Sequence, residues 1–389
     1  MAYNYKKTAA KGRSKRKKST GKIVGWSLAF ILAVFCITAI AMWKKISDNK
    51  LPNFRHETVI YVHPETTADE VYSDLIEHAG VLRPRSLDRA FRDKKVPEYL
   101  KPGKYLIKPE YTSVYVARML NNCWQTPAQL TLSGTMRLKS QIAGKISSQI
   151  LIDSAEVMQA LSSEKILSAY GYTPENVFSL FIPDTYEMYW TATMKDVLAK
   201  QKQANDNFWN EERLSKAKAL GLSRDEVSVI ASIVNSETNY VPEMPMVAGV
   251  YLNRMKKGMK LQADPTIAFC FDYEPRRILL RHLEVESPYN TYKYEGLPPG
   301  PICVPSKASL DAVLNPQGDY LYFCANSNMD GTHLFAKDFS THAKNAKAFQ
   351  DELSRRRNAP IDLLSAGPGV EESIVSEGII ESNEQSSSN

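Results

Sequence analysis

Glu237 is the residue with the clearest potential for acid–base chemistry in this sequence, because it is a carboxylate on an otherwise apolar helix. The segment Ser223–Tyr240 reads SRDEVSVIASIVNSETNY. At about 100° per residue, Val227, Ile230 and Val234 share one helical face, and Glu237 falls at the edge of that face. Desolvation and the negative end of the helix dipole both disfavour a charged carboxylate there. The sequence therefore predicts a raised pKa, suited to a general acid, although a solvated Glu at a helix end is the ordinary alternative.

The neighbouring elements must position this carboxylate. Ser223 followed by Glu226 is a capping-box pattern that starts the helix. A second helix is predicted over Met246–Lys256, because its last turn is basic and a glycine follows shortly after it. Asp264 is predicted to cap a third helix, with Pro265 in its first position.

The charge distribution argues against a nucleic-acid-binding protein. The chain has 49 Lys and Arg against 43 Asp and Glu, but nine of the basic residues lie within the first 22 positions, which hold no acid. The remaining residues carry 40 basic and 43 acidic groups, a net charge of −3. A nucleic-acid-binding protein spreads basic charge over a folded face, whereas this sequence confines it to a short tail.

The five cysteines do not indicate a metal or cofactor site. They contain no C-x-x-C pair and have no His at zinc-finger spacing. Four of them lie beyond the apolar N-terminal run, at positions 123, 270, 303 and 324. Two disulfides in an extracytoplasmic domain and buried free thiols are both compatible with this pattern.

A membrane anchor is predicted near the N-terminus. Ile23–Trp43 is an uncharged run of 21 residues, about 32 Å long as a helix, which matches the hydrocarbon core of a bilayer. The basic segment 1–22 places the N-terminus in the cytoplasm by the positive-inside rule. The sequence thus predicts a single-pass protein of the cytoplasmic membrane whose C-terminal domain is extracytoplasmic.

A small module follows a linker over 44–56. Thr58–Val62 and Gly103–Ile107 have the β-branched and aromatic composition of short strands, and amphipathic helices precede and follow the second strand. The resulting βααβα order over 57–123 resembles the LysM-like module, which binds amino-sugar polymers.

The larger domain is predicted over 124–357 as a mixed α/β catalytic domain, which makes the chain α+β overall. The segment FIPDTYEM from Phe181 is expected to be buried, and Ser340 to cap a final helix that ends near Arg357. The tail 358–389 is rich in Gly, Ser and Glu and is predicted to be disordered.

Several motifs, in order, resemble the MltG/YceG-like family of endolytic murein (peptidoglycan) transglycosylases. They are FIPDTYEM, SIVNSET, LNRMKKGMKLQADPT, SPYNTY, GLPPGPI and GTHLFAKDFSTH, and the likeness spans roughly residues 57–350. In that family the Glu of the S-I-V-x-x-E segment is the catalytic acid/base, which corresponds to Glu237. The resemblance also implies that the cleft is lined by Gln262, Asp264, Tyr289, Asn290 and Thr291. His333 and His342 fit the last motif, where a structural role is an equal alternative.

The resemblance implies cleavage of the MurNAc–GlcNAc bond inside glycan strands with formation of a 1,6-anhydro-MurNAc end. One carboxylate suffices for this reaction, because the muramic acid's own C6 hydroxyl attacks in place of water, whereas ordinary glycoside hydrolases need two. Peptidoglycan strands and the cytoplasmic membrane are then the expected partners, with peptidoglycan synthases as further candidates. The alternatives are a non-catalytic wall-binding or divisome scaffold, and a hydrolase that pairs Glu237 with Asp264 or Asp184.

Overall fold

The computed structural model describes residues 20–275 and 277–357, and its contacts divide the chain into two units between Thr126 and Pro127. The elements of the smaller unit are α1 (Thr20–Lys50), β1 (Thr58–Val62), α2 (Ala68–His78), α3 (Pro84–Asp93), α4 (Val96–Tyr99), β2 (Gly103–Ile107) and α5 (Ser113–Asn121). Those of the larger unit are β3 (Ala128–Leu132), α6 (Lys139–Ser147), α7 (Ser154–Leu161), α8 (Glu164–Leu167), β4 (Asp184–Met188), α9 (Met194–Phe208), α10 (Glu211–Leu220), α11 (Arg224–Glu237), α12 (Met244–Lys256), α13 (Asp264–Cys270), α14 (Lys307–Leu314), β5 (Tyr322–Ala325), β6 (His333–Ala336) and α15 (Phe339–Arg357). Short 3-10 helices lie at Ser168–Tyr170, Val177–Leu180, Val241–Glu243 and Leu280–Glu284. The predicted disordered tail and most of the basic N-terminal segment lie outside the described residues.

Strands within the described ranges form three antiparallel pairs, β1–β2, β3–β4 and β5–β6, among a larger number of helices. This arrangement confirms the predicted mixture of helices and strands. The LysM-like character of the smaller unit stays a prediction.

The smaller unit has its own core around β1 and β2. Thr58 lies opposite Ile107, and alternate residues of both strands point inward, so that Ile60 and Tyr105 are fully buried. Helix α2 begins at a capping box, in which the Thr67 amide donates to Glu70 Oε2 at 2.7 Å. Local composition and capping therefore produce the strand and helix positions that the sequence predicts.

Helix α1 contains a segment, Gly25–Lys50, that is long and apolar enough to cross a membrane. It continues without a break through the first seven residues of the predicted linker 44–56. The last turn is built into the smaller unit: the Asp48 carboxylate is buried and accepts hydrogen bonds from Arg89 Nε and Nη2, both at 2.8 Å. Ser86 Oγ donates to the same carboxylate at 2.6 Å. The helix therefore ends inside a folded unit.

The first core of the larger unit lies between β3–β4 and helices α6, α7 and α9. Phe181 of the FIPDTYEM segment is fully buried in it, and Ile182 is buried in the second core, which confirms the predicted burial. Asp184 follows Pro183 directly as the first residue of β4 and lies opposite Leu132.

The second core of the larger unit is organised around α11, which packs against α12 and α14. Every residue from Val227 to Val234 is buried, so that this stretch of α11 is enclosed on all sides. Each fully buried large side chain contributes roughly 1.5–3 kcal/mol by transfer from water, which fixes the helix axis firmly.

One face of α12 contacts the chain that leaves α14. The Gln317 amide donates to the Pro245 carbonyl at 2.9 Å, and Asn253 Nδ2 donates to the Tyr320 carbonyl at 3.0 Å. Between these contacts lies Gly249, where a Cβ would overlap the Gln317 carbonyl oxygen. Only a glycine permits this approach.

The final helix begins earlier than the sequence predicts. Asp338 precedes α15 and accepts hydrogen bonds from the Thr341 amide at 2.9 Å and from Thr341 Oγ1 at 3.0 Å. The prediction that Ser340 caps this helix is therefore wrong, because the carboxylate two residues earlier takes that role.

Cys123, Cys270 and Cys303 are free thiols.

Candidate active site

Glu237 is the last residue of α11, and its side chain is half-buried. The predicted capping box starts the helix, since the Glu226 amide donates to Ser223 Oγ at 3.2 Å and the Ser223 amide donates to Glu226 Oε2 at 2.8 Å. At the other end, Thr238 has an extended backbone and its amide donates to the Val234 carbonyl at 3.2 Å. The carboxylate thus lies at the negative end of the helix dipole, as the sequence predicts.

Tyr251 of α12 holds this carboxylate. Its hydroxyl donates to Glu237 Oε1 at 2.5 Å, and the side chain is only 2% exposed. Burial and the neighbouring Glu237 carboxylate raise the pKa of Tyr251 well above its usual value, so the phenol keeps its proton and remains a donor. One oxygen of Glu237 is therefore bound by a fixed donor within the protein.

Arg254 lies one turn after Tyr251 and is also buried. Its Nε donates to the Leu321 carbonyl at 2.7 Å, and its Nη1 donates to the Leu261 carbonyl at 2.9 Å and to Gln262 Oε1 at 3.1 Å. Burial lowers the pKa of Arg254. Among the neighbouring groups that raise this pKa, Tyr251 has the largest effect. The guanidinium remains a cation and fixes the loop before α13.

Asp264 and Tyr292 form a second pair of carboxyl and phenol. Tyr292 Oη donates to Asp264 Oδ1 at 2.5 Å. Burial raises the pKa of Asp264 to about 6, and the hydrogen bond from Tyr292 opposes this shift. Burial also raises the pKa of Tyr292, with contributions from Asp264 and Glu237, so the phenol lies within electrostatic range of both carboxylates.

The sequence predicts that Asp264 caps α13, and the structure shows that this prediction is wrong. Ala263 occupies the N-cap position with an extended backbone, and Asp264 is the first residue with helical conformation. The carboxylate is already bound to Tyr292 and makes no hydrogen bond to the amides of the first turn. Pro265 is therefore the second helical residue of α13, whereas the sequence predicts it in the first position.

Gln262 and Tyr289 both have accessible surface. Gln262 is exposed and has a left-handed backbone with φ of 53°, which is held by the hydrogen bond from its amide to the Thr291 carbonyl at 3.2 Å. Tyr289 is half-buried, and its ring contacts Phe269 with centroids 4.6 Å apart. Burial raises the pKa of Tyr289 to about 12.

Asn290 and Thr291 are buried and bond within the protein. Asn290 Nδ2 donates to the Leu283 and Val285 carbonyls, both at 2.8 Å, and its Oδ1 accepts the Tyr292 amide at 2.9 Å. Thr291 Oγ1 accepts the Ala263 amide at 3.0 Å. Both side chains therefore hold the loop that carries Tyr292.

The other candidates from the sequence lie in different surroundings. Asp184 is exposed and paired with Lys307 at 2.5 Å, and this pairing lowers its pKa. His333 Nδ1 lies 2.8 Å from the buried Glu243 carboxylate. His342 is buried and stacked on Tyr322, with ring centroids 5.3 Å apart. The two histidines thus have structural partners.

Sequence reasoning missed Tyr251, Arg254 and Tyr292. Arg254 and Tyr292 lie inside the recognised motifs, and a basic residue three positions after a tyrosine on an apolar helix was an available signal. Within residues 20–275 and 277–357, His, Cys, Asp and Glu side chains form no group of three or more suited to a metal ion.

Comparison with known proteins finds relatives among the endolytic murein transglycosylases and the yceG-like proteins. An endolytic murein transglycosylase of Bacillus subtilis (strain 168) is 31% identical over 231 residues, which cover 56% of this chain and 63% of that protein. An endolytic murein transglycosylase of Streptococcus pneumoniae (strain D39) is 29% identical over 169 residues, covering 42% of this chain and 30% of that protein. A crystal structure of a yceG-like protein from Listeria monocytogenes is 25% identical with a TM-score of 0.49, and the match covers 74% of this chain and 98% of that chain.

The chain spans less than two thirds of the length of the curated relatives it matches. The profile of the YceG-like family, by contrast, matches residues 60–348, from β1 to α15. Because this match covers most of the chain and includes every element of the site, the chain belongs to the YceG-like family.

Proposed function

We propose that this chain is a membrane-anchored lytic transglycosylase that cleaves MurNAc–GlcNAc bonds inside peptidoglycan strands and leaves 1,6-anhydro-MurNAc ends. The main support is the position of Glu237, which ends a buried helix, receives the Tyr251 hydroxyl and lies in the family's acid/base motif. The names of the curated relatives support the same substrate and reaction. Cutting within strands would limit the length of newly made glycan, and peptidoglycan synthases are the partners that would supply such strands.

The proposed reaction uses Glu237 twice. Its carboxyl group first protonates the glycosidic oxygen as the bond to the muramic acid's anomeric carbon breaks. The resulting carboxylate then accepts the proton of the muramic acid's C6 hydroxyl as that oxygen bonds to the anomeric carbon, so atoms and charge balance without water. The Tyr251 hydroxyl holds the carboxyl group of Glu237 in place during both proton transfers.

The other predicted cleft residues divide into two groups in this proposal. Gln262, Asp264 and Tyr289, which are exposed or half-buried, contact the glycan strand. Asn290 and Thr291, whose polar groups bond to the main chain and to Thr266, position the loop that carries Tyr292. The Arg254 cation holds the loop before α13 and contributes positive charge near the reacting carboxylate.

We place the two units outside the cytoplasm. The nine basic residues before the apolar run support an N-terminus in the cytoplasm, and peptidoglycan lies on the opposite side of the membrane. We assign the smaller unit to glycan engagement, as its predicted LysM-like character implies. A groove between β1 and α2, lined by Tyr61, Thr66 and Glu70 among others, is the proposed contact surface.

A second candidate is hydrolysis by Glu237 and Asp264 as a carboxyl pair. The observation in its favour is that burial raises the pKa of Asp264 to about 6, the range of a catalytic acid or base. The two reactions differ in their products, because hydrolysis leaves a reducing end and the transglycosylase reaction leaves an anhydro end.

Mass spectrometry of the products from purified sacculi tests the proposal. The full chain should release anhydro-muropeptides, and Glu237→Gln should reduce their release by roughly 10² to 10⁴-fold. Glu187→Gln, which changes an exposed carboxylate of β4, is the matched control and should remain active. Reducing-end products would favour the hydrolase, and binding of sacculi without any release would favour a non-catalytic scaffold.

A further inference from the structure

Basic residues are concentrated in two segments that meet at the end of α1. Residues 44–50 and 83–95 contain nine Lys and Arg and three Asp, a net charge of +6. The chain from residue 23 onward has a net charge of −3, so this concentration is local. Basic clusters next to a membrane-spanning helix attract anionic phospholipids.

The structure fixes α3 to the end of α1. Asp48, one turn after Lys44, binds Arg89 of α3 through two hydrogen bonds of 2.8 Å. Ser86 of the same helix binds this carboxylate and lies 2.9 Å from Ser113 Oγ of α5. Arg83, just before α3, donates to the carbonyls of Leu51 and Pro52 at 2.8 and 3.1 Å. The connection between helix and unit is thus rigid.

This connection sets the height of α3 above the bilayer. Lys44 is the first residue after the apolar run, and Asp48 follows it by one helical turn, about 5.4 Å. The headgroup region extends roughly 5–8 Å beyond the hydrocarbon on each side. If α1 spans the membrane up to Lys44, the contact between Asp48 and Arg89 falls at the level of the lipid phosphates.

Arg85, Arg89 and Arg92 form one stripe along α3, because they are spaced by four and three residues. Arg89, in the middle, touches α1, so Arg85 and Arg92 lie on either side of the contact with the membrane helix. Both flanking side chains are exposed, and Arg92 forms only a surface ion pair with Asp88 at 3.0 Å. A guanidinium binds a phosphate through two parallel hydrogen bonds.

We propose that this stripe of α3 is a docking surface for anionic phospholipid headgroups, which holds the smaller unit against the membrane. The favoured occupant is lipid for two reasons. Helix α3, which carries the stripe, is hydrogen-bonded to the end of α1, and the positive charge of the stripe is complementary to phosphate. An acidic wall polymer is the competing occupant. The proposal rests on membrane anchoring by α1 and is independent of the catalytic assignment.

Lipid composition around the full chain tests this proposal. The chain is reconstituted in nanodiscs of phosphatidylcholine mixed with phosphatidylglycerol, and the lipids that co-purify are quantified by mass spectrometry against empty discs. Wild type should enrich phosphatidylglycerol, and the double variant Arg85→Gln/Arg92→Gln should enrich it less. This variant keeps the contact between Asp48 and Arg89, and circular dichroism checks that it folds.

The control is Lys101→Gln/Arg118→Gln, which removes the same charge from two exposed positions of the same unit and should enrich phosphatidylglycerol as wild type does. Equal enrichment in both double variants and wild type would overturn the proposal. So would unchanged enrichment together with weaker binding of the stripe variant to purified sacculi, which would assign the stripe to a wall polymer.

Discussion

Replacing Tyr251 with Phe removes a single hydroxyl and keeps the buried ring. The lost hydrogen bond joins Tyr251 Oη to Glu237 Oε1 at 2.5 Å, and the Tyr251 side chain is only 2% exposed. A hydrogen bond to a charged group contributes about 1.5–3 kcal/mol, which corresponds to roughly 10- to 150-fold in rate if it is fully used to hold the carboxylate for reaction. We expect kcat to fall by that factor and KM to change little, because Tyr251 is buried and makes no substrate contact in the proposed mechanism.

The pH profile distinguishes positioning from a merely structural role. The Tyr251 hydroxyl favours the charged form of Glu237, so its removal makes the carboxyl hold its proton more tightly. The reaction begins with a protonated Glu237, and the alkaline limb of the activity profile should therefore move to higher pH in Tyr251→Phe. Tyr189→Phe, at an exposed tyrosine of the same unit, is the control. An unchanged limb together with a full loss of rate would refute the assignment of Tyr251 to Glu237.

Four further outcomes are expected. Burial raises the pKa of Asp264 to about 6, so its ionisation penalises the folded state above that pH and not well below the unfolded pKa near 4. Asp264→Asn should therefore raise the free energy of unfolding at pH 8, by roughly 3 kcal/mol at most, and leave the thermal melt unchanged well below the unfolded pKa. Asn290→Ala should lower the free energy of unfolding by about 2–4 kcal/mol in urea titrations, because it leaves the buried Leu283 carbonyl and the partly buried Val285 carbonyl without this donor. Tyr61→Ala should weaken sedimentation of the chain with sacculi without changing its thermal melt, and equal sedimentation would contradict glycan binding at this groove. A reporter active only outside the membrane should work when fused after Asn389, and activity of a cytoplasmic reporter there would reverse the proposed orientation.

The features that the sequence predicts well depend on neighbouring residues. The capping box at Ser223 and the strands β1 and β2 each follow from a few adjacent side chains. The same is true of the inward position of Glu237, which a helical period of 3.6 residues determines. Such signals survive because no tertiary contact competes with them.

Features that depend on contacts between elements could not be read from the sequence. Tyr251 meets Glu237 across 14 residues and Tyr292 meets Asp264 across 28, and both contacts require the crossing of helices and loops to be known. Tertiary bonding also explains two departures from prediction. Asp264 binds Tyr292 instead of capping its helix, and α1 continues past its apolar run because Arg89 pairs with Asp48.

The close approach of α12 to Gln317 has a consequence for how this chain can diverge. Gly249 precedes Tyr251 by two residues, and any side chain at 249 would push α12 away from the segment after α14. Such a shift would also carry the phenol away from Glu237. Position 249 is therefore expected to remain glycine among relatives, a signature of selection on a residue that contacts no sugar in the proposed mechanism.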